Sequence, residues 1–320
     1  MRHNQPSHEI TSLIRLLQTG EEVNIQLALE LANALDDSTD FAHYLDQLIP
    51  LYNLVFLENK TALDWTALAA LFQLRILSLN DRDLEELPNS LDELIHVQEF
   101  RCYNNKLRAL PESIVQWHQL KLLDCDNNLL TTLPDNLGNL CQLQHLSCIN
   151  NQLKTLPESI GQLQELESLH CSFNQLVALP ESLSQLSQLQ LLECYNNHLI
   201  TLPDSIGQLR KLQSLDCDNN HLQSLPDSIC QLNLLQLISC SNNQLLALPK
   251  QIGKLHDLTW LDCSYNQLQT LPESLYHLPS IESLGLDARH NPMRFIPPCL
   301  SDSLGDRLYL DDRYIKDMQE

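Results

Sequence analysis

Residues 143–165 read Leu-Gln-His-Leu-Ser-Cys-Ile-Asn-Asn-Gln-Leu-Lys-Thr-Leu-Pro-Glu-Ser-Ile-Gly-Gln-Leu-Gln-Glu, and this frame recurs along most of the chain. Apolar residues occupy positions 1, 4, 6, 11, 14, 18 and 21 of the 23-residue unit, with Asn at position 9 and Pro at position 15. A fixed period of about 20–29 residues with this pattern is typical of a solenoid, in which each unit buries its core against its neighbours. Eight cysteines consequently stand 23 residues apart, at Cys102, Cys125, Cys148, Cys171, Cys194, Cys217, Cys240 and Cys263.

The repeat predicts a stack of parallel strands. Positions 3 to 7 alternate polar and apolar residues, which is the period-two pattern of a half-buried strand. Stacked strands lie about 4.8 Å apart, which places positions 4 and 6 in the core and positions 3, 5 and 7 on one open face. We expect the Asn column to bond backbone groups where each strand ends, and the Pro column to end the strand segment. Nine regular units begin at Leu74, Val97, Leu120, Leu143, Leu166, Leu189, Leu212, Leu235 and Leu258.

These frames resemble the typical 23-residue leucine-rich repeats of bacterial and Ras-pathway-type proteins, in which a Leu-Pro-x-x-Ile-x-x-Leu segment links consecutive units. The resemblance covers about residues 51–298. It implies an α/β solenoid, namely a leucine-rich repeat horseshoe with a parallel concave sheet, and it implies protein binding on the concave face. Many bacterial proteins of this type are cytosolic or act as effectors. This chain differs from the family in carrying Cys rather than Leu at position 6.

Departures from the frame predict how the two ends of the solenoid are closed. Apolar spacing in residues 1–50 indicates a helical N-terminal cap, with a second helix that carries Leu27, Ala28, Leu31 and Leu35 and a third that ends before Pro50. A tenth unit is predicted from Ile281, with two extra residues after its strand. The C-terminal cap is expected to add a last strand and an acidic tail over the exposed edge. The predicted parts are a degenerate first repeat at 51–73, regular repeats at 74–280, an irregular last repeat at 281–298 and a C-terminal cap at 299–320, with its strand at 308–310.

The cysteine column is open to three explanations. Cysteines in even numbers are compatible with disulfides or with a metal site. Their inward position, where Leu79 and Leu286 stand in the flanking repeats, favours free thiols packed as small apolar groups. We therefore predict no metal site, and thiols that resist labelling because burial raises their pKa. Labelling of the native protein is expected only at Cys141, Cys230 and Cys299.

The chain is strongly acidic, which limits the classes of partner. It carries 41 acidic and 19 basic residues, a formal net charge of −22. Sequence-independent nucleic-acid binding depends on Lys and Arg, so it is excluded, and anionic membrane surfaces are disfavoured. A monomer that binds a protein with a basic or mixed-charge surface is expected, although solubility alone also accounts for the charge. The polar N-terminus predicts a cytoplasmic protein, or one exported without an N-terminal signal peptide, for example into a host cell.

The open strand face is the candidate site. Apolar and aromatic side chains beside carboxylates are typical of protein interfaces, where aromatic residues anchor the partner and charges orient it. Sequence drift on a solvated face is the alternative. The residues after each Cys repeat in the same order 92 positions later, which indicates a duplicated four-repeat block and two related patches. The predicted partner-binding residues are Tyr103, Leu122, Asp124, Asp126, His170, Phe173, Glu193, Tyr195, Asp216, Asp218, Trp260, Asp262 and Tyr265.

No feature of the sequence predicts catalysis. Asp124 and Asp126, like Asp216 and Asp218, lie roughly 7 Å apart along one strand, a spacing too common to indicate acid–base chemistry or a cation site. The seven glycines form no phosphate-binding loop, and no cofactor is predicted. The expected function is a protein-interaction module acting as an effector or adaptor. The alternative is a proteinaceous inhibitor that covers the active site of a partner enzyme.

Overall fold

The computed structural model describes residues 8–35 and 37–311, so the acidic tail predicted at 312–320 lies outside the described residues. The described chain begins with four helices, continues as short parallel strands, and places one further helix before the last strand. The helices are α1 His8–Gln18, α2 Glu22–Asn33, α3 Thr39–Phe56, α4 Trp65–Phe72 and α5 Pro298–Leu304. The strands are β1 Ile76–Ser78, β2 Glu99–Arg101, β3 Leu122–Asp124, β4 His145–Ser147, β5 Ser168–His170, β6 Leu191–Glu193, β7 Ser214–Asp216, β8 Leu237–Ser239, β9 Trp260–Asp262, β10 Gly285–Asp287 and β11 Leu308–Tyr309.

The N-terminal helices close the first end of the core. α1 buries apolar residues at helical spacing along one face, as its sequence pattern predicts. α2 buries Ile25, Ala28 and Ala32, and it leaves Leu27 and Leu31 41% and 45% exposed. Of the four apolar residues that predicted this helix, Ala28 is thus buried and Leu35 partly buried, whereas Leu27 and Leu31 are exposed. The alanine-lined face is the one that packs, because small side chains let α2 approach α1 and α4 closely.

The end of α3, a connecting loop and α4 occupy the segment 51–73, where a degenerate repeat was expected. α3 continues through Pro50 to its end at residue 56. Proline removes one backbone donor from a helix, but Leu51 and Tyr52 in the following turn are buried and hold the helix in place. Asp64 caps the start of α4, and its carboxylate accepts a hydrogen bond from a backbone N–H of the first turn at 2.8 Å. The helical cap thus extends to residue 72, and the strands begin at β1.

The strands form one parallel sheet in chain order from β1 to β11. Neighbouring strands pair at a step of one repeat, so that Leu123 lies opposite Leu146, and Leu146 opposite Leu169. Short 3₁₀ segments after the Pro column, such as Glu158–Gln162, form the opposite wall, and buried Leu, Ile and Cys fill the space between. These features confirm the predicted α/β solenoid with a cap at each end. We call the open side of the sheet, formed by positions 3, 5, 7 and 8 of each repeat, the sheet face.

Two columns of buried side chains join successive repeats. Nδ2 of Asn128 donates to the carbonyl oxygens of Cys102 and Cys125 at 2.9 and 3.1 Å, and Oδ1 accepts from the Leu107 N–H at 3.0 Å. The thiol of Cys125 donates to the carbonyl oxygen of Ser147 in the next strand at 3.2 Å. Each buried carbonyl at a strand end thereby gains a partner, as a buried polar backbone group requires. The structural role predicted for the Asn column is confirmed.

The eight repeated thiols, which we call the cysteine ladder, are fully buried and free. Burial, with a smaller contribution from Glu193, raises the pKa of Cys171 to about 12, which keeps its thiol uncharged. Cys141 is exposed and Cys299 is half-buried, but Cys230 is only 5% exposed, so its predicted accessibility was wrong. Cys230 lies in a tightly packed 3₁₀ segment, in the place that a buried glycine occupies in several other repeats.

The last repeat begins two residues later than predicted. Leu286 pairs with Leu261 of β9, so it stands at position 4 rather than position 6. Ala288 takes the place of the ladder cysteine, and Asn291 extends the Asn column. The two extra residues therefore precede β10 rather than follow it. Apolar alternation through Leu284 fits either register, because a shift of two residues leaves the same side chains facing inward.

Candidate functional site

The structure places all of the predicted partner-binding residues on the sheet face. Those at positions 3 and 5, such as Asp124 and Asp216, lie within strands, and those at positions 7 and 8, such as Tyr195 and Phe173, follow the strand ends. They extend from β2 to β9, which is roughly 34 Å at the usual spacing of strands. The residues therefore form an extended surface rather than one compact site.

Two of the predicted carboxylates brace the next repeat. Asp126 accepts hydrogen bonds from Ser147 Oγ at 2.6 Å and from the backbone N–H two residues further on at 2.7 Å. Asp218 accepts from Ser239 Oγ at 2.8 Å and from the corresponding backbone N–H at 2.6 Å. Sequence reasoning missed this structural role. The available signal was a serine 21 residues after each aspartate.

Carboxylates on the sheet face are partly removed from water. Burial raises the pKa of Asp124 and Asp126 above the usual range for a carboxyl group. The pKa of Asp216 is raised to about 6, first by burial and then by nearby negative charges that include Asp218 and Glu193. A carboxylate in such surroundings is stabilised by a nearby cation, so this part of the face favours a positively charged ligand.

Basic side chains moderate the charge near β3. Arg101 pairs with Glu99 at 2.7 Å, and His170 Nδ1 lies 2.7 Å from Glu193 Oε2. Arg101 and His170 also act to lower the pKa of Asp124, against the larger effect of burial. The face is consequently less acidic around β3 than around β7.

Two exposed aromatic residues adopt a left-handed backbone conformation that is unfavourable for aromatic residues. Phe173 and Tyr265 stand at position 8 with φ of 54° and 51°. Phe173 is 47% exposed and Tyr265 is 55% exposed. Phe173 contacts Tyr195 edge to face, with ring centroids 5.2 Å apart. Tyr265 stacks on His290, with ring centroids 4.1 Å apart. An exposed aromatic side chain on a strained backbone favours a binding role. Asn, which tolerates this left-handed region, occupies the position in six other repeats, as Asn104, Asn127, Asn150, Asn196, Asn219 and Asn242, whereas Asp81 and His290 occupy it in the first and last repeats.

A groove of about 350 Å³ opens on the sheet face between β3 and β5. Leu122, Asp124, His145, Ile149 and His170 line it together with the small side chains of Ser147 and Ser168, and His145 Nδ1 lies 2.9 Å from Ser168 Oγ. Sequence reasoning identified Leu122, Asp124 and His170 but missed His145 and the groove itself. Its existence depends on which small residues become neighbours in adjacent strands, and that requires the strand register.

Trp260 is held by residues that sequence analysis did not identify. A Cβ atom on Gly285 would lie 2.5 Å from the indole, so the indole packs directly over the backbone of β10. The ring of Tyr309 lies 6.2 Å from that of Trp260, and Arg289, which pairs with Asp287, stands 5.8 Å from the Tyr309 ring. These neighbours were missed because the predicted register of the last repeat was shifted by two residues.

The sheet face is an extended surface in the part of the chain that the structure describes. Within residues 8–35 and 37–311, no group of three or more His, Cys, Asp or Glu side chains is arranged to hold a metal ion. Among the helices of this described part, none has both the length and the apolar character needed to cross a membrane. The arrangement combines half-buried carboxylates, exposed aromatic rings and the groove between β3 and β5 on a hydrogen-bonded sheet.

Comparison with known sequence families identifies the scaffold. A family model for a leucine-rich repeat region matches residues 52–174, and two further leucine-rich repeat models match residues 211–232 and 233–292. No curated protein sequence matches the chain. Together with the repeat frame and the parallel sheet, the family matches show that the chain is a leucine-rich repeat protein.

Solved structures similar to this one come from bacteria and plants. A leucine-rich repeat protein of Leptospira interrogans is 29% identical, with a TM-score of 0.55, over 74% of this chain and 72% of that chain. The ectodomain of the Arabidopsis thaliana receptor kinase GASSHO1/SCHENGEN3, in complex with CASPARIAN STRIP INTEGRITY FACTOR 2, is 32% identical, with a TM-score of 0.62, over 70% of this chain and 28% of that chain. The functional domain of InlJ from Listeria monocytogenes, which includes a cysteine ladder, is 23% identical, with a TM-score of 0.56, over 76% and 54%; this likeness shows the fold alone.

Proposed function

We propose that this chain is a protein-binding module that takes a partner with a basic or mixed-charge surface on its sheet face. The observation that carries the proposal is the acidic group around Asp216, whose pKa is raised by burial and by the charges of Asp218, Glu193 and Asp262. Mutual repulsion of this kind costs free energy in the free protein, and a cationic partner would relieve it.

Aromatic side chains supply the second element of the proposed interface. Trp260 is half-buried beside the acidic group, and Tyr265 projects from the same repeat. Large aromatic residues provide most of the energy in many protein interfaces, whereas charges set orientation and association rate. The combination supports recognition of a folded protein or an extended polypeptide.

Plant receptors with this fold support a polypeptide ligand. GASSHO1/SCHENGEN3 was solved with CASPARIAN STRIP INTEGRITY FACTOR 2, the peptide hormone receptor RGFR1 with RGF2, and PEPR1 with AtPEP1. We extend to this chain only the class of ligand. Leucine-rich repeat proteins are typically binding modules without catalytic activity, and we propose that this one acts as an adaptor or effector, in the cytoplasm or after export.

The experiment compares partner capture by the native protein and by a face variant. The face variant combines Glu193→Gln, Asp216→Asn, Asp262→Asn and Trp260→Ala. Amide replacements keep the acceptor oxygens that hold the strand ends, and Asp218 is left intact because it braces β8. Proteins captured from a lysate of the source organism are identified by mass spectrometry and their affinities are then measured.

A control variant removes the same number of charges and one aromatic ring from exposed positions away from the sheet face: Asp135→Asn, Asp204→Asn, Asp227→Asn and Tyr276→Ala. We expect a partner that binds the native and control proteins equally and the face variant at least tenfold more weakly, with unchanged circular dichroism in all three. Equal binding by the face variant would contradict the proposal. If the partner is an enzyme, loss of its activity in the complex would identify the chain as an inhibitor rather than an adaptor.

A further inference from the structure

We propose that the groove between β3 and β5 anchors one arginine side chain of the partner. This inference rests on the proposed function and assigns the chemistry of one subsite on the same face. The groove is about 350 Å³ and combines an acidic wall at Asp124 with apolar walls at Leu122 and Ile149. A carboxylate beside aliphatic walls fits a side chain that has an apolar stem and a cationic end.

The acidic wall is positioned before any ligand arrives. Asp124 Oδ1 accepts a hydrogen bond from the Asp126 N–H at 3.2 Å, and Asp126 is held by Ser147 Oγ at 2.6 Å. Of these two carboxylates, only Asp124 lines the groove. A ligand therefore meets a carboxylate that needs no further ordering, which lowers the entropic cost of binding.

Arginine fits this subsite better than lysine. The ring of His170 lines the groove and is held by Glu193 at 2.7 Å, so it presents a fixed planar surface. A guanidinium group is planar, stacks on rings and binds carboxylates through two donors at once, and it loses less hydration than an ammonium group on entering a half-buried site.

The equivalent positions 92 residues later provide a comparison within the chain. The acidic pair is present there as Asp216 and Asp218, but the residues that correspond to the groove walls differ. Ser214 and Ser241 stand where Leu122 and Ile149 stand in the first block, and Trp260 stands in place of Ser168. The two apolar walls are thus replaced by serines, Leu237 stands in place of the groove-lining His145, and a large indole takes the place of a small hydroxyl. We therefore assign the arginine subsite to the groove in the first block.

The test uses the full chain and a defined probe, the blocked pentapeptide Ala-Ala-Arg-Ala-Ala. Matched peptides carry citrulline, which has nearly the shape of arginine without its charge, or lysine. Binding is followed by NMR through the methyl signal of Ile149 in protein labelled at isoleucine methyl groups. We expect a saturable shift of this signal with the arginine peptide. The lysine peptide should bind at least threefold more weakly, and the citrulline peptide at least fivefold more weakly. Equal binding of arginine and citrulline would overturn the inference.

Variants locate the binding on the groove. Asp124→Asn should weaken binding of the arginine peptide at least fivefold. Asp135→Asn removes one charge from the same repeat but away from the sheet face, and it should change the affinity for this peptide less than 1.5-fold. Ser168→Trp copies the residue at 260 and should abolish the shift at Ile149 without loss of fold, as judged by the other isoleucine signals. Unchanged peptide binding in Asp124→Asn and Ser168→Trp would refute the subsite.

The outcomes separate this inference from the proposed function. If the face variant loses the captured partner but Ser168→Trp binds that partner as tightly as the native protein, the arginine subsite is wrong and the binding face stands. If the face variant keeps the partner while the arginine peptide still shifts Ile149, the subsite stands and the proposed binding face is wrong. We expect both variants to lose the partner.

Discussion

The two four-repeat blocks, residues 97–188 and 189–280, share their interior and differ on the sheet face. The cysteine ladder and the Asn column run through both blocks, and Asp126 and Asp218 brace the next strand with equivalent hydrogen bonds. Stacking therefore constrains the interior and the strand ends, whereas the sheet face is free to change. The face residues that differ between the blocks include Arg101 against Glu193, Leu122 against Ser214, Ser168 against Trp260, and His170 against Asp262.

We propose that the face residues that differ between the two blocks determine partner specificity. The first block has basic side chains beside its acidic pair and a groove next to it, and the second concentrates negative charge beside Trp260. Equivalent substitutions in the two blocks should therefore have equal effects in the interior and unequal effects on the sheet face.

The largest effect is expected from a charge placed in the cysteine ladder. Cys125→Asp and Cys217→Asp put a carboxylate where a thiol donates to a carbonyl oxygen at 3.2 and 3.3 Å. A buried, unpaired charge should cost each variant about 3–5 kcal/mol of unfolding free energy, measured by urea denaturation. Cys→Ala at each position is the volume control. Unequal losses in the two Asp variants would show that the two interiors are not equivalent.

A smaller loss is expected when the Asn column is interrupted. Asn128→Ala and Asn220→Ala each remove an amide that donates to two or more carbonyl oxygens and accepts from a backbone N–H of the preceding repeat. Leaving these buried groups unpaired should destabilise each variant by about 2–3 kcal/mol, again measured by denaturation. A cost below 1 kcal/mol in either block would contradict the role assigned to the column.

Neutralising one carboxylate on the sheet face should change the unfolding free energy by different amounts in the two blocks. The pKa of Asp216 is raised from 3.8 to about 6 in the folded protein, so the protonated form is favoured by folding. The favourable contribution of this protonated carboxyl group to the unfolding free energy is complete below pH 3.8 and is lost as the pH rises through 6. Asp216→Asn should therefore stabilise the protein at pH 7 by about 1 kcal/mol, after allowance for solvent screening, and have little effect near pH 4.

Asp124→Asn is the matched variant in the first block. Its gain at pH 7 should be smaller, because Arg101 and His170 act to lower the pKa of Asp124. Denaturation at both pH values measures the two gains. A larger gain for Asp124→Asn than for Asp216→Asn would contradict the charge difference between the blocks.

The smallest stability effect is expected at the strained aromatic residues. Phe173→Asn and Tyr265→Asn place the residue common at position 8 into the left-handed conformation, which should stabilise each variant by about 0.5–1 kcal/mol. The same variants should bind the captured partner at least fivefold more weakly, as measured by calorimetry. Greater stability with unchanged partner affinity would show that these rings do not contribute to partner binding.

Much of the fold could be predicted from the sequence because one period governs it. Alternation around each cysteine determines which side chains face inward, so the buried ladder and the exposed positions follow directly. The last repeat could not be placed, since Leu284, Leu286 and Ala288 permit two registers. The helical nature of the segment around Pro50 was also missed, because burial of Leu51 and Tyr52 outweighs the cost of proline.

The residues of the candidate site could be predicted, but their relations could not. Position in the repeat placed Asp124, His170 and Phe173 on the open face. The groove, the bracing bond of Asp126 and the packing of Trp260 over β10 all depend on contacts between residues about one repeat apart or more. Such contacts appear only once the strand register is known.

Carboxyl footprinting of the complex with the captured partner tests the central claim most directly. A carbodiimide and an amine label accessible carboxylates, and mass spectrometry compares labelling with and without the partner. We predict at least threefold lower labelling of Glu193, Asp216 and Asp262 in the complex, and unchanged labelling of Asp135 and Asp204. Protection of the latter two residues, with the sheet face labelled as in the free protein, would contradict the account.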